Sequence, residues 1–225
     1  MLRVIAIDGP AASGKSSTAA RVAQELGWAH LDSGALYRAM TLITIDHLTT
    51  PWSVQRILAL AQELPVRLVL VGQTFQPEVA GVGVEAAIRS ERVTHQVSAV
   101  AAIPEVRRWV NARQREAVAA YPAGVVVDGR DIGTVVFPDA PLKIFLTASA
   151  HERAKRRLTQ RGHRVDDARL ARESRALEAR DEADAKRPVA PLKPADDAVT
   201  LDSTTLSLDE QVRRVVALAR QRFPD

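Results

Sequence analysis

The sequence predicts an α/β fold, with a parallel sheet core and helices on both faces. Four short apolar segments have the length of buried strands, at residues 3–8, 125–128, 142–146 and 199–202. Helical segments separate them, and such crossover connections place successive strands parallel. Residues 65–88 differ, because apolar and polar residues alternate there and Gly72-Gln73 can turn the chain. We therefore expect one domain over 1–225 that contains a small antiparallel β insert at 65–88.

The helices are predicted from apolar spacing and from the residues at their ends. Apolar residues at helical spacing predict a helix over 15–26, which Gly27 ends. Ser33 is expected to cap the next helix, and Pro51 is expected to open another. Further helices are expected at 90–120 with a break at Pro104, at 149–161, at 166–185 and at 207–222.

Composition sets broad limits on the class of protein. Hydrophobic residues make up 46% and charged residues 26% of the 225 residues, as in a soluble globular protein. The absence of cysteine excludes disulfides and thiolate metal sites. No run of about 18 apolar residues predicts a membrane span, and the first residues do not form a signal peptide. The net charge of +4 suits anionic partners or is only solubility charge. We expect a cytoplasmic monomer without membrane partners.

A glycine-rich segment follows the first predicted strand and precedes the first predicted helix. This segment, here called the phosphate loop, matches G-x-x-x-x-G-K-[ST] at every position. Its residues are Gly9-Pro10-Ala11-Ala12-Ser13-Gly14-Lys15-Ser16. Small residues let backbone N–H groups approach phosphate oxygens at the positive end of a helix. Lys15 is expected to reach the β and γ phosphates, and Ser16 to ligate Mg²⁺. The motif alone predicts a nucleotide and a metal, and it does not separate a kinase from a GTPase, an ATPase or a nucleic-acid motor. If the nucleotide is ATP, the residues that bind it are those of the loop together with Ser17.

A run of arginines lies in the segment 150–168. Arg153 and Arg157 are four residues apart, so they face the same side of a helix. Phosphoryl transfer crowds several phosphates together, and arginine forks neutralise their charge. We expect 150–168 to be a basic lid that closes over the triphosphate, with Arg153 and Arg157 as catalytic candidates. For either arginine alone, a solvated helix face is the simpler interpretation.

Two further clusters combine arginines with carboxylates. Arg180, Asp184 and Arg187 recur on one helix face, where Asp184 can orient both arginines, although ordinary surface pairing gives the same spacing. Asp128-Gly129-Arg130-Asp131 follows a valine-rich strand, and ligands of doubly wound sheets bind at the carboxyl ends of strands. Asp128 is a candidate for Mg²⁺ through its waters. Asp131 is a candidate acceptor for an exocyclic amine of a base.

These clusters belong to five stretches that together resemble a known enzyme family. The stretches run in family order, at residues 7–16, 31–38, 128–140, 180–192 and 201–204. The runs DGRDIGTVVFPDA and LDSGALYR are highly specific, whereas the phosphate loop alone is not. The chain thus resembles the bacterial cytidylate kinases, which are P-loop nucleoside monophosphate kinases. The resemblance covers nearly the whole chain and implies ATP-dependent phosphorylation of CMP and dCMP.

The resemblance also implies roles for individual residues. Ser33 and Asp131 would read the cytosine, and the insert at 65–88 would help to hold the acceptor. The catalytic candidates are Lys15, Arg130, Asp131, Arg153 and Arg157. The candidates around the acceptor nucleotide are Ser33, Gly34, Tyr37, Arg38, Arg107, Arg130, Asp131, Arg180, Asp184 and Arg187. Two prolines depart from the family pattern: Pro77, which would restrict its strand to a sheet edge, and Pro188.

Other functions share some of these signals. A kinase for UMP or AMP would use the same phosphate loop. A nucleic-acid-dependent ATPase would suit the basic excess, but aromatic residues make up only 4% of the chain, too few for a base-stacking platform. We therefore expect small nucleotides as partners and no nucleic acid.

Overall fold

The computed structural model describes residues 3–224, which form two compact units. One unit combines the described residues up to Trp28 with those from Val126 onward, and the other is Ala29–Val125. Within the described residues, no helix has both the length and the apolarity that crossing a membrane requires.

Eight strands and eight helices alternate through the described chain. The strands are β1 (Val4–Asp8), β2 (Ala29–Asp32), β3 (Val66–Val71), β4 (Thr74–Val79), β5 (Val82–Gly83), β6 (Val125–Gly129), β7 (Leu142–Thr147) and β8 (Val199–Asp202). The helices are α1 (Lys15–Leu26), α2 (Ser33–His47), α3 (Val54–Glu63), α4 (Glu91–Ala101), α5 (Pro104–Ala119), α6 (Ala150–Gln160), α7 (Asp167–Lys186) and α8 (Leu208–Arg222). A 3₁₀ turn at Ala87–Arg89 and a π-helical turn at Ile132–Val136 complete the elements.

The first unit contains four neighbouring strands of the sheet, in the order β6-β1-β7-β8. β1 pairs in parallel with β7, with Ile5 opposite Leu142, and β7 pairs in parallel with β8. All five residues of β1 are buried, as expected for a strand that is covered on both faces. Apolar residues of β1 and β7 share one core with α1 and α8. The predicted α/β fold with a mostly parallel sheet is confirmed.

The second unit contains the antiparallel strands at 66–83. β4 pairs antiparallel with β3 and β5 and parallel with β2, so it is an interior strand. The prediction that Pro77 would restrict β4 to an edge is therefore wrong. β2 pairs only as far as Phe75, and β5 pairs from Glu78, so Pro77 falls between the two partners. Proline has no backbone N–H, so a strand paired with Pro77 on that side would have one carbonyl without a hydrogen-bond donor.

Two predicted helix starts are also wrong. Asp32, and not Ser33, caps α2, because its carboxylate accepts the Gly34 N–H at 2.9 Å. Ser33 is instead the first helical residue. α3 begins after the cap residue Ser53 and not at Pro51. In both cases a side chain that accepts a backbone N–H sets the boundary.

Candidate active site

The phosphate loop follows directly from the end of β1. Gly9 has φ +155°, and a Cβ there would lie 2.0 Å from the backbone oxygen of Leu146, so no other residue fits. Gly14 ends the loop with φ +95°, and α1 starts at the next residue. Strand, loop and helix therefore have the arrangement that the motif requires. The first N–H groups of α1, which have no acceptor within the helix, lie at this end of the loop. One of them is that of the exposed Ser17.

Lys15 and Ser16 carry the two side chains of the loop that are expected to contact phosphate and metal. Lys15 is buried, and its Nζ donates to the Pro10 carbonyl at 3.2 Å, so the ammonium group lies over its own loop. The Ser16 hydroxyl donates to Asp128 Oδ2 at 2.6 Å. Asp128 is 1% exposed near the carboxyl end of β6. The two predicted Mg²⁺ residues are therefore in direct contact.

The oxygen atoms of Ser16 and Asp128 fit the hard, oxygen-preferring Mg²⁺ ion. Within residues 3–224, no three or more histidines, aspartates or glutamates come together as a metal site. Mg²⁺ commonly keeps several waters and binds through one or two protein groups plus substrate phosphates. Ser16, with Asp128 acting through water, is the pair that would hold it here.

Asp8 is a buried carboxylate that the predictions did not include. Its two oxygens accept the N–H groups of Ile132 at 2.8 Å and Gly133 at 2.7 Å. Burial raises the pKa of Asp8 to about 6, although these two hydrogen bonds and Lys15 act in the opposite direction. Asp8 thereby ties the end of β1 to the π-helical turn. Its position at a strand end, directly before the loop, was the available sequence signal.

Arg153 contacts the phosphate loop from the outside. It is 6% exposed and donates to the carbonyls of Ala148 at 3.0 Å and Ala11 at 3.1 Å. It also pairs with Asp181 of α7, which accepts the Ala11 N–H at 3.3 Å. Ala11 is thus held at both of its backbone groups. The sequence analysis did not single out Asp181.

Arg157 has a different environment from Arg153. Its Nε lies 2.8 Å from Glu173, which is also 3.7 Å from Arg161. Burial lowers the pKa of Arg157, and the positive charges of Arg161 and Arg130 lower it further, while Glu173 partly offsets them. The cluster therefore carries excess positive charge, which an incoming phosphate group would relieve.

The residues after β6 form a cluster with the end of α7. Asp184 lies 3.2 Å from Arg130 Nε and 3.9 Å from Arg187. Arg187 is in turn 3.7 Å from Asp131, which is 4% exposed. Asp184 therefore contacts Arg130 and Arg187, whereas its predicted role in orienting Arg180 and Arg187 stays a prediction. Arg180, also predicted, lies one turn before Asp184 on α7.

The second unit contains the other acceptor candidates. Tyr37 donates its hydroxyl to Asn111 at 3.2 Å, and the guanidinium of Arg107 lies 5.3 Å from the Tyr37 ring centroid. Arg38 donates to the Ile88 carbonyl at 3.2 Å and to Thr94 at 2.9 Å. All three side chains are therefore held in fixed positions. A cation above an aromatic ring contributes to this order.

Ser33 and Gly34 start α2 next to the ion pair of Asp32 with Arg89, which was not predicted from the sequence. Asp32 accepts the Gly34 N–H and lies 2.9 Å from Arg89, which also pairs with Glu85 at 2.7 Å. Burial acts to lower the pKa of Arg89, but Asp32 and Glu85 together raise it above its ordinary value. The pair fixes the start of α2, where Ser33 is 4% exposed.

Comparison with known proteins identifies the family of the chain. The cytidylate kinase family profile matches residues 5–221. A cytidylate kinase of Stutzerimonas stutzeri is 48% identical over 221 residues, which cover 97% of this chain and 96% of the relative. One of Pectobacterium carotovorum subsp. carotovorum is 45% identical over 224 residues, or 98% and 97% of the two chains. An uncharacterised protein from Eubacterium ventriosum has a TM-score of 0.51 at 11% identity, covering 99% of this chain and 100% of that chain, which concerns the fold alone. The chain belongs to the cytidylate kinase family.

Proposed function

We propose that this protein transfers the γ-phosphate of ATP to CMP and dCMP, giving ADP with CDP or dCDP. The observation that carries the proposal is the contact of Ser16 with Asp128 at the end of a complete phosphate loop. A chain of alternating arginines and carboxylates, from Arg130 to Asp131, supports a second phosphate-bearing ligand. Family membership supports cytidine nucleotides as that ligand.

ATP would bind with its phosphates on the N–H groups of the phosphate loop. Lys15 would turn from the Pro10 carbonyl to the β and γ phosphates, because phosphate oxygens are stronger acceptors for an ammonium group. Ser16, with Asp128 acting through water, would hold Mg²⁺, which would supply positive charge against the phosphates. Arg157 would supply charge to the transferring group, since its surroundings already carry excess positive charge.

Each unit contains residues that we propose for binding the acceptor. From the second unit, Ser33, Gly34, Tyr37, Arg38 and Arg107 would take part, with the insert at 65–88. From the first unit, Arg130, Asp131, Arg180 and Arg187 would take part, with Asp184 keeping two of these arginines in place. An ionised carboxylate only accepts hydrogen bonds, so Asp131 suits the exocyclic amine of cytosine.

The reaction needs no general base. A phosphate oxygen of CMP attacks the γ-phosphorus in line, and the bond from that phosphorus to the β–γ bridging oxygen breaks. The acceptor phosphate is already largely ionised near neutral pH, so no proton has to be removed. Lys15 and the arginines stabilise the charge that spreads over the transferring group. Closure of the lid at 150–168 would exclude water and thereby suppress ATP hydrolysis.

A panel of nucleoside monophosphates tests the proposal. Purified protein with ATP and Mg²⁺ is assayed for ADP release with CMP, dCMP, UMP and AMP, and the products are identified by chromatography. CMP and dCMP should give the highest kcat/KM, and Lys15→Ala should reduce kcat strongly. A preference for UMP or AMP would replace the proposed acceptor. Hydrolysis that depends on nucleic acid and falls steeply with salt would replace the reaction class.

We further propose that the enzyme works in the cytoplasm, where nucleotides are interconverted for pyrimidine metabolism. The expected monomeric state stays a prediction, which sedimentation of the purified protein would check.

A further inference from the structure

The carbonyl of Ser13 is held on the outer side of the phosphate loop. Arg156 Nη1 donates to it at 3.2 Å, and the hydroxyl of Ser203 lies 3.1 Å from it. Neither residue is part of the loop or of the predicted site. Arg156 is on α6, and Ser203 follows β8.

This carbonyl controls the direction of a neighbouring N–H group. In a planar trans peptide, the C=O of one residue and the N–H of the next point in opposite directions. The Ser13 carbonyl and the Gly14 N–H belong to the same peptide. Because glycine tolerates both signs of φ, the peptide before it can rotate at low cost. An outward Ser13 carbonyl therefore directs the Gly14 N–H to the inner, phosphate-binding side.

The outer side of the loop is closely packed around this peptide. A Cβ on Gly14 would lie 3.1 Å from Gln211 Oε1 and 3.6 Å from Arg156 Nη1. Gln211 is itself fixed, because it accepts the Thr18 hydroxyl at 2.9 Å and donates to the Leu206 carbonyl at 3.1 Å. At Gly14, a ligand can therefore approach the loop only from its other side.

Arg156 and Ser203 also hold one another. Arg156 donates to the Ser203 hydroxyl at 3.0 Å, to the Ser203 carbonyl at 2.6 Å and to Glu152 at 3.1 Å. Ser203 is fully buried, and its hydroxyl lies 2.9 Å from the Thr147 carbonyl. The single hydroxyl proton serves either Thr147 or Ser13, so Arg156 provides Ser13 with a charged donor in both cases. Arg156 donates to four acceptors: the Ser13 carbonyl, the hydroxyl and carbonyl of Ser203, and Glu152. We therefore assign it to holding the loop and not to binding the transferred phosphate.

We propose that Arg156 and Ser203 are positioning residues for the phosphate donor, because they orient the Ser13–Gly14 peptide so that the Gly14 N–H meets the phosphates. This inference rests on ATP binding at the phosphate loop, as in the proposed function. Neither residue touches the donor or the acceptor. Their loss should therefore weaken donor binding and leave acceptor binding unchanged.

The test compares two variants with matched controls. Ser203→Ala removes the hydroxyl, and Ser207→Ala is its control, because Ser207 caps α8 without touching the loop. Arg156→Gln removes the charged fork, and Arg213→Gln is its control, because Arg213 is an exposed arginine on α8, outside the lid segment. Equilibrium binding of a non-hydrolysable ATP analogue is measured without acceptor. KM for CMP is measured at saturating ATP, and thermal stability is recorded for all four proteins.

Ser203→Ala and Arg156→Gln should each raise the Kd for the analogue about tenfold, while KM for CMP stays within about twofold. In protein labelled with ¹⁵N-glycine, the Gly14 amide signal should shift or broaden in both variants before nucleotide is added. The controls should keep the wild-type Kd even where Ser207→Ala lowers stability. If one of the two variants does not fold, the other decides.

Two results would overturn the inference. One is an analogue Kd within about twofold of wild type in every folded variant of the pair. The other is a parallel rise of both nucleotide constants with the loss of thermal stability, which would indicate general loosening. Failure of the wild-type protein to phosphorylate CMP would remove the proposed function, whereas the analogue Kd would still decide this inference.

Discussion

The Ser16 hydroxyl donates to Asp128 at 2.6 Å, which joins the end of the phosphate loop to the end of β6. The two residues are 112 positions apart, so only the fold brings them together. Parallel strands place their carboxyl ends at one edge of a sheet, and β6 lies next to β1. In the proposed function, this hydroxyl and this carboxylate are the pair that would hold Mg²⁺.

Replacing Asp128 should alter the requirement for Mg²⁺. Asp128→Asn keeps the size of the side chain but removes its charge, so the Mg²⁺ concentration for half-maximal activity should rise about tenfold. The measurement is a Mg²⁺ titration at fixed ATP and CMP. Asp209→Asn is the control, because Asp209 is a 69% exposed carboxylate on α8. An unchanged Mg²⁺ dependence in Asp128→Asn would exclude Asp128 from the metal site.

The buried Asp8 should make stability depend on pH. Its pKa of about 6 in the folded protein lies above the ordinary 3.8, so the native state binds more protons between these values. The contribution of Asp8 to the free energy of unfolding should therefore fall as pH rises from about 4 to about 6, by an amount on the order of 3 kcal/mol. Denaturant unfolding of wild type and Asp8→Asn across this range gives the difference. If that difference stays flat or increases with pH, the raised pKa is wrong.

Asp184 should influence acceptor binding through two arginines. Asp184→Ala frees Arg130 and Arg187 from their shared carboxylate, so KM for CMP should rise about tenfold while KM for ATP changes little. Steady-state kinetics with each substrate varied in turn measure both constants. Glu182→Ala is the matched control, since Glu182 is 63% exposed on the same helix and pairs only with Lys186 among the described residues. Equal KM values for CMP in the two variants would contradict the orienting role.

Local patterns were sufficient for much of the fold. The helices α1 and α5 lie where apolar spacing, Gly27 and Pro104 predicted them, because their ends are encoded by nearby residues. The interior position of β4 was not predictable in this way. Pro77 is tolerated there because β2 and β5 end on either side of it, and this depends on strand pairing across the chain.

Candidate site residues could be named from the sequence where they belong to a motif. Their contact partners could not be predicted where those partners are distant in sequence and depend on the fold. The phosphate loop and Asp128 were found because their residue types are required by phosphates and Mg²⁺. The spacing of Arg153 and Arg157 placed both on one helix face but could not distinguish their neighbours. Arg153 contacts Ala11, which is 142 residues away, whereas Arg157 contacts Glu173 of α7. Asp181 was missed for the same reason, because its partner Ala11 is 170 residues away.

Arg157 should act mainly on the chemical step. Arg157→Ala removes the charge that we assign to the transferring phosphoryl group, so kcat should fall about a hundredfold or more, with a smaller change in KM for ATP. Single-turnover measurement of product formation isolates the chemical step. Arg172→Ala, an exposed arginine on α7, is the control and should keep wild-type turnover. A kcat within a few-fold of wild type in Arg157→Ala would remove Arg157 from the catalytic set.

Asp131 should determine the choice between cytosine and uracil. Its carboxylate is 4% exposed and only accepts hydrogen bonds when ionised, so it suits the cytosine amine and opposes the carbonyl oxygen that uracil presents at the same position. An amide can both accept and donate, so Asp131→Asn should admit UMP. The ratio of kcat/KM for CMP to that for UMP should fall about tenfold or more, while KM for ATP stays unchanged.

The control for this variant is Asp139→Asn, which changes an exposed carboxylate eight residues further along the run DGRDIGTVVFPDA. It should keep the wild-type ratio of CMP to UMP. Loss of activity with both acceptors in equal proportion would mean that Asp131 supports the site only through Arg187, 3.7 Å away. Base discrimination would then have to come from the second unit, where Ser33 is the residue to replace next, because it is the other predicted reader of the base.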